Sequence, residues 1–569
     1  GLLFDHGLGG FAPDGREYVI HLEPGESTPA PWVNVVANRR LGFVVSESGG
    51  GYTWAENSGE NRLTPWRNDP VADEPGEVVY LRDEETGAVW SPTPRPAPAA
   101  GAHQIRYGAG YATFLHRSHG LEQMLRLWVP PDDPVKLVEL TLTNRLDRPR
   151  RITVTYYVEW VLGVTREASQ AFVIPEFDPA TQALLARSPW NEDFADRVAF
   201  AAASEKLHGL TADRTEFLGR HGSYAAPAAM GRIGLASTVR AGLDPCAALQ
   251  VHLDLAPGAA ASVHFMLGQA AGREEALGLV TKYRDRNTVT AAWTDLDRHW
   301  DALLGAVTVR TPDPALDLML NRWLLYQVVA SRLWGRTGYY QSSGAFGFRD
   351  QLQDVTALIH SAPTICRDHI LEAARHQFEA GDVLHWWHPP ADAGVRTRCS
   401  DDLVWLPFVT AQYVEATGDE TILSEHVPFL TGAPLEQGEA EHYARFEPGD
   451  GATLYRHCLA AIERGRTAGA HGLPLFGSGD WNDGMNRVGI GGRGESVWLG
   501  WFLHATLTRF AGVSERLRDA ERAKMLRRQA EALRAPLEAA WDGAWYRRGY
   551  YDDGTPLGSV ESAECRIDS

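Results

Sequence analysis

The feature that most constrains this chain is a change in the spacing of its apolar residues near residue 270, from every second position to a helical 3.6. Upstream, Val138, Leu140 and Leu142 alternate with Glu139, Thr141 and Thr143, and Ile152, Val154, Tyr156 and Val158 repeat the pattern. A strand with one buried face reads this way because successive side chains point to opposite sides of a sheet. The link 144–150 predicts that these two strands form a hairpin. A second hairpin is predicted from Leu249, Val251, Leu253 and Leu255 with Val263, Phe265 and Leu267, joined through Pro257 and Gly258. Alternation with Gly and Pro turns, recurring to about residue 267, predicts antiparallel sheets stacked as a large sandwich.

Downstream the helical period takes over. A charged stretch at 273–304 is followed by Thr311-Pro312-Asp313-Pro314, which opens a helix running to residue 333, since Pro in a first turn loses no needed N–H. Further helices are predicted at 364–380, 401–417, 454–466, 496–510 and 514–541, with Gly381 and Gly418 as stops. Their spacing suggests paired helices. The loops between them are long and rich in Gly, Trp, His and Asp, and such loops in a compact domain usually carry function. The Pro/Ala patch 92–102 reads as a surface loop. The resulting division is a β-sandwich at 1–270, a helical linker at 271–312 and a helical domain at 313–569, reasonable for 569 residues.

Charge and cysteine usage exclude several function classes. Lys plus Arg is 54 against 73 for Asp plus Glu, a net charge of −19, so there is no basic footprint for nucleic acid. No apolar run approaches the roughly 20 residues of a membrane-spanning helix. The five cysteines (Cys246, Cys366, Cys399, Cys458, Cys565) are scattered and odd in number, which argues against a disulfide framework and a structural zinc site. A reducing, cytoplasmic location is expected. The 19 Trp suit either stacking on sugar rings or a Trp-rich core. Gly1 leads directly into apolar sequence and 564–569 follow turn-rich sequence, so an excerpt of a longer chain is expected.

Three segments offer chemistry. The first is Gly479-Asp480-Trp481-Asn482-Asp483-Gly484, two acids, an amide and an indole fenced by glycines. Either Asp480 or Asp483 could protonate a glycosidic oxygen beside an apolar ring; the alternative is that both cap turns. A calcium loop starting at Asp480 fails, because the positions for an oxygen ligand and a closing Glu hold Gly484 and Gly491. The run 489–496 could cradle an anion, but reads better as a loop with Ser496 as helix N-cap; Met485 and Met319 read as packing residues. The second segment is Gly347-Phe348-Arg349-Asp350-Gln351-Leu352-Gln353-Asp354, where Arg349 offers a donor fork to phosphate or sugar hydroxyls and Asp350 and Asp354 can accept from hydroxyls, unless the three pair among themselves. The third joins His385-Trp386-Trp387-His388 to Arg396-Thr397-Arg398-Cys399-Ser400-Asp401-Asp402. His385 and His388 raise the question of a metal, but Pro389-Pro390 argues against the helix that would present them, and aromatic stacking fits better. Asp401 or Ser400 can equally be a helix N-cap.

These segments, in the order Asp5-His6-Gly7-Leu8-Gly9-Gly10-Phe11, Gly347 to Asp354, Val395 to Asp402 and Gly479 to Asp483, resemble glycoside hydrolase family 94 nearly end to end. That family comprises cellobiose, cellodextrin, chitobiose, laminaribiose and β-1,2-oligoglucan phosphorylases and the C-terminal region of cyclic β-1,2-glucan synthases. The run Phe11-Ala12-Pro13-Asp14-Gly15-Arg16-Glu17-Tyr18-Val19-Ile20 with Thr28-Pro29-Ala30-Pro31-Trp32 is most similar to the synthase region. The resemblance implies that the helical domain is an (α/α)6 barrel, incomplete at its C-terminus, and that the chain is an inverting phosphorylase releasing α-glucose 1-phosphate from β-linked glucan, β-1,2-glucan by preference. It implies Asp483 as general acid, Trp481 beside the sugar, Arg349 shared by donor sugar and phosphate, and Asp354 as a donor-sugar ligand. Asp350, Asp480, Asn482, Trp387, Arg398, Asp401 and Asp402 complete the candidate substrate-binding set. Inorganic phosphate is the expected co-substrate, with no cofactor and no metal. The His and Thr that finish the phosphate site are expected beyond residue 569. A homodimer is expected, as is tethering of this region to the inner membrane through the rest of a longer parent chain. An inverting β-glucan hydrolase with Asp401 or Asp402 as base, and a non-catalytic glucan-binding region of a synthase, are the alternatives.

Overall fold

The computed structural model describes residues 1–436, 438–562 and 566–567, so Cys565 lies outside the described residues. The chain divides into two compact units, Gly1–Gly344 and Ala345–Ser569.

The first unit is built on two large antiparallel sheets. A ten-stranded sheet runs, edge to edge, through Gly9–Phe11, Glu17–Leu22, His103–Gly108, Tyr111–Ser118, Leu121–Trp128, Val135–Asn144, Ala260–Ala270, Val198–Ala203, Ala183–Arg187 and Ile174–Asp178. A five-stranded sheet holds Gly209–Asp213, Pro245–Leu255, Arg150–Glu159, Glu77–Asp83 and Val89–Trp90. Val138, Leu140, Leu142, Phe265 and Leu267 of the larger sheet share one core cluster with Ile152, Val154, Val158, Leu249 and Val251 of the smaller. The alternation therefore marks the inner faces of a sandwich.

Neither expected hairpin forms. Val135–Asn144 pairs with Leu121–Trp128 and Ala260–Ala270, whereas Arg150–Glu159 pairs with Pro245–Leu255 and Glu77–Asp83. Both links, 145–149 and 256–259, instead cross from one sheet to the other. Period-two alternation states which face of a strand is buried, not whether the next strand lies beside it or across the core. Asn144 ties the two crossings together: its buried amide donates to the carbonyls of Arg148 at 2.8 Å and of Leu255 and Ala256 at 3.2 Å.

The helical stretch after the sandwich is two helices, Arg273–Arg284 and Arg286–Leu304, broken at Asp285, whose carboxylate caps the second through Asn287 and Thr288 N–H groups. From Pro314 to Gly335 the chain is continuously helical but passes twice into wide turns, at Met319–Trp323 and Val328–Gly335. This segment packs on strand Val33–Ala37, with the Tyr326 hydroxyl donating to the Val35 carbonyl at 2.7 Å, and so lies in the first compact unit.

The second unit contains the helices Phe348–Thr356, Pro363–Arg375, Asp402–Thr417, Leu454–Gly465, Val497–Arg516 and Ala520–Ala539. The helix expected to reach residue 380 ends at Arg375, and the helix expected to stop at 510 continues to Arg516, where Asp519 caps its successor through the Arg522 N–H. Gly418 ends Asp402–Thr417 in the left-handed region, φ 72°. The loops carry short strands absent from the sequence reading, including Leu384–His388, which pairs with Ala393–Thr397. Among the described residues no helix is long and apolar enough to cross a membrane.

Candidate active site

The three sequence segments converge within the second unit on one guanidinium. Arg349, in the first turn of Phe348–Thr356, donates from Nη1 to Asp401 Oδ1 and to the Asp480 carbonyl, each at 3.0 Å, and from Nη2 to Asp483 Oδ1 at 2.7 Å. Asp402 Oδ1 lies 3.8 Å from the same Nη1. Arg349, Asp401, Asp402 and Asp480 are all buried, whereas the Asp483 side chain is 57% exposed. Asp483 is thus the carboxyl of this set open to a ligand. Trp481 stands beside it, half exposed, its indole N–H held by Gln353 Oε1 at 3.2 Å. Asp350 and Asp354, four residues apart on one helical face, are half-buried next to this cluster in sequence.

The buried acids have structural partners. Asp401 occupies the N-cap position of Asp402–Thr417 but makes no cap hydrogen bond; its carboxylate accepts from Arg349 and, through Oδ2, from the Trp405 indole at 3.1 Å. Burial, and then the neighbouring Asp402 charge, push the Asp401 carboxyl upward against the pull of Arg349. Asp402 Oδ2 holds His385 Nδ1 at 2.7 Å, and His385 Nε2 lies 3.9 Å from Asp483 Oδ2. Burial opposes charge on this imidazole, but Asp402 and Cys399 override it and raise the ring to about 11. Burial also opposes the charge on Arg349, and Asp401, Asp402 and Asp483 outweigh it.

Asp480 is not open to a sugar. It is fully buried, with Oδ1 accepting from Arg548 Nη2 at 2.6 Å and from the Asn482 N–H at 3.1 Å, and Oδ2 accepting from Ser496 Oγ at 2.6 Å. Ser496 is the N-cap of Val497–Arg516, accepting from the Leu499 N–H at 3.0 Å. Asp480 therefore anchors the loop that presents Asp483. Asn482 is likewise engaged, capping the turn Asp483–Met485 through the Gly484 N–H at 3.0 Å.

Two further candidates lie away from the cluster in function. Trp387 is buried with its ring stacked on His376 at 3.8 Å, which leaves no sugar platform. Arg398 donates to the carbonyls of Leu435, Glu436 and Glu439, pinning that loop. Its own carbonyl accepts from the Ser478 N–H at 3.1 Å, and Ser400 Oγ donates to the carbonyls of Phe476 and Gly479. This crossing is close: at Gly477, φ 64°, a Cβ would lie 2.1 Å from the Arg398 carbonyl oxygen. The run 489–496 does cradle an anion, but one from the chain itself, since the N–H groups of Gly491, Arg493 and Gly494 all donate to Asp552.

Sequence reasoning missed Arg548, Trp405 and the role of His385. His385 sits at a register shift in strand Leu384–His388, between Leu384 and Trp386, and its carboxylate partner, Asp402, is seventeen residues away. Only the third dimension brings Arg548 to Asp480, 68 residues upstream.

Comparison with known proteins now decides the family. Residues 16–286 match the glycosyl hydrolase 94 supersandwich domain and residues 299–569 the glycosyl hydrolase 94 superfamily catalytic domain. Solabiose phosphorylase of Paenibacillus borealis is 30% identical over 99% of this chain and 70% of its own length. The chain belongs to glycosyl hydrolase family 94. Within family 94 it is also similar to the cyclic beta-(1,2)-glucan synthase NdvB of Rhizobium meliloti, 44% identical over the whole chain, which spans 20% of that protein. N,N'-diacetylchitobiose phosphorylase of Vibrio furnissii is 28% identical over 98% of the chain and 72% of that enzyme. A bacterial glucoamylase structure superposes with a TM-score of 0.51 at 8% identity, covering 94% of this chain and 73% of that one, a likeness of fold: an antiparallel sandwich followed by a helical domain of the (α/α)6 kind.

Proposed function

We propose that this family 94 region is an inverting phosphorylase acting on β-linked glucan, β-1,2-glucan in the first instance, and that it belongs to a cyclic β-1,2-glucan synthase. In this reading Asp483 protonates the departing glycosidic oxygen while a phosphate oxygen attacks the anomeric carbon from the opposite face. The products are α-glucose 1-phosphate and a glucan shorter by one residue. Arg349 holds the anion, and Trp481 stacks on the sugar.

The observation that carries the reading is the single exposed carboxyl on Arg349. A hydrolase inverting the same bond needs a second carboxylate facing water, about 6.5 to 9.5 Å from the acid. Asp401 and Asp402, its candidates, are buried and turned to Arg349, Trp405 and His385. That favours a nucleophile that is already anionic. The 44% identity to NdvB across the whole chain supports β-1,2-glucan as substrate.

The test is to incubate the complete parent protein with β-1,2-oligoglucan, with and without inorganic phosphate. Phosphate-dependent appearance of α-glucose 1-phosphate is expected. Shortening that proceeds equally without phosphate would establish hydrolysis instead, and glucan binding with no turnover would establish a non-catalytic region.

A further inference from the structure

We propose that His385, Cys399 and Asp402 form a binding site for a thiophilic divalent cation, with zinc the best fit. A ring nitrogen of His385, Sγ of Cys399 and a carboxylate oxygen of Asp402 lie within 4.8 Å of one another. The edges of a tetrahedron with zinc bonds of 2.0 to 2.3 Å are about 3.3 to 3.8 Å, so the widest ligand separation closes by about 1 Å, while the hydrogen bond of 2.7 Å between His385 Nδ1 and Asp402 Oδ2 gives way and the ring releases its proton as the ion binds. Rigid elements hold each of them. His385 lies in strand Leu384–His388, Asp402 opens helix Asp402–Thr417, and Cys399 is bridged to Gly477.

A second observation points to a ligand here. Asp402 Oδ1 is buried and accepts no hydrogen bond, with Arg349 Nη1 at 3.8 Å. A buried carboxylate oxygen without a partner costs roughly 1 to 3 kcal/mol or more, which a cation at that oxygen would remove. The donor set also selects the ion. Nitrogen, sulfur and oxygen together suit zinc, whereas magnesium and calcium take six or more oxygens. Three protein ligands leave a fourth position, and Asp483 Oδ2 lies 3.9 Å from His385 Nε2. On the reading of Asp483 as proton donor, a bound ion stands beside the acid and inhibits. The binding claim does not depend on that reading.

The experiment is therefore a binding one on the full chain, with no turnover in the readout. The metal-free protein is titrated with zinc by calorimetry and, separately, with cobalt while the near-ultraviolet thiolate-to-cobalt charge-transfer band is recorded. One ion per chain is expected. C399S should remove the cobalt band and weaken zinc binding at least ten-fold, and H385Q should weaken zinc binding by a similar factor, with circular dichroism showing both variants folded. Cys246, Cys366 and Cys458 are buried, and any contribution from Cys565 would survive C399S. Absence of saturable binding, a cobalt band retained in C399S, or displacement of zinc by millimolar magnesium would each overturn the site. If C399S does not fold, H385Q alone decides.

Discussion

Removing Arg548 tests whether the presentation of Asp483 rests on a buried ion pair. In R548M, Asp480 keeps Ser496 Oγ and the Asn482 N–H but loses its counter-charge at 2.6 Å while remaining fully buried. Breaking a buried pair from one side costs about 3 to 5 kcal/mol, and the two surviving hydrogen bonds place this case near the lower figure, about 3 kcal/mol. Asp480 also offers its backbone carbonyl to Arg349 at 3.0 Å, so displacement of the loop is transmitted to the Arg349–Asp483 contact. Urea unfolding followed by far-ultraviolet circular dichroism, which reports on the helix-rich second unit, gives the penalty. D480N should also destabilise, because it leaves Arg548 buried opposite a neutral amide. The double variant D480N/R548M should recover at least about 1.5 kcal/mol of the summed single losses, as expected for groups in direct contact. A loss under about 1 kcal/mol in R548M, or single penalties that simply add, would refute the assignment of Asp480 as an anchored, charged residue.

Four other outcomes are expected. D483N in the complete parent should lower phosphate-dependent turnover by about a hundred- to ten-thousand-fold, the range of a lost general acid, without changing the unfolding curve, because Asp483 is largely exposed; retained turnover would remove it from the mechanism. W481A should raise KM for oligoglucan at least ten-fold while leaving the fold intact, as a lost stacking surface requires; an unchanged KM would show that the sugar binds elsewhere. N144A should cost about 2 to 3 kcal/mol in urea unfolding, since three carbonyls at the two sheet crossings lose their donor; a cost below about 0.5 kcal/mol would show that the crossings hold without it. His103 is held down to about 3 by burial and then by His116, its parallel ring neighbour at 3.9 Å. Its folded value lies below its unfolded one, so the folded form stays neutral while the unfolded chain takes up a proton. Stability should therefore be undiminished above about pH 6.5 and fall below it by up to about 1.4 kcal/mol per pH unit for this one proton, and H103Q should flatten the slope. A slope unchanged in H103Q would assign the loss to other groups.

Much of this protein is written in local spacing. The change of apolar period marks where sheets give way to helices, because side-chain direction follows from backbone geometry within a few residues. Gly418 as a helix stop and Ser496 as a cap were legible for the same reason: their partners lie within four residues. The motif around Asp480 and Asp483 was legible as chemistry, but not the division of labour between the two acids. One is buried against Arg548 and the other faces outward, and nothing in the tetrapeptide distinguishes them. Similarly, alternation predicted strands at 136–143 and 152–159 but could not tell a hairpin from a crossing between sheets, because both bury the same face. Trp387 and Arg398 looked like ligand residues by type, and their burial and loop contacts come from segments elsewhere in the chain. Sequence alone thus determined which residues could bear charge, stack or cap. Tertiary packing decided which of the charges are neutralised by the protein and which one is left for a ligand, because desolvation depends on everything that surrounds a group, not on its neighbours along the chain.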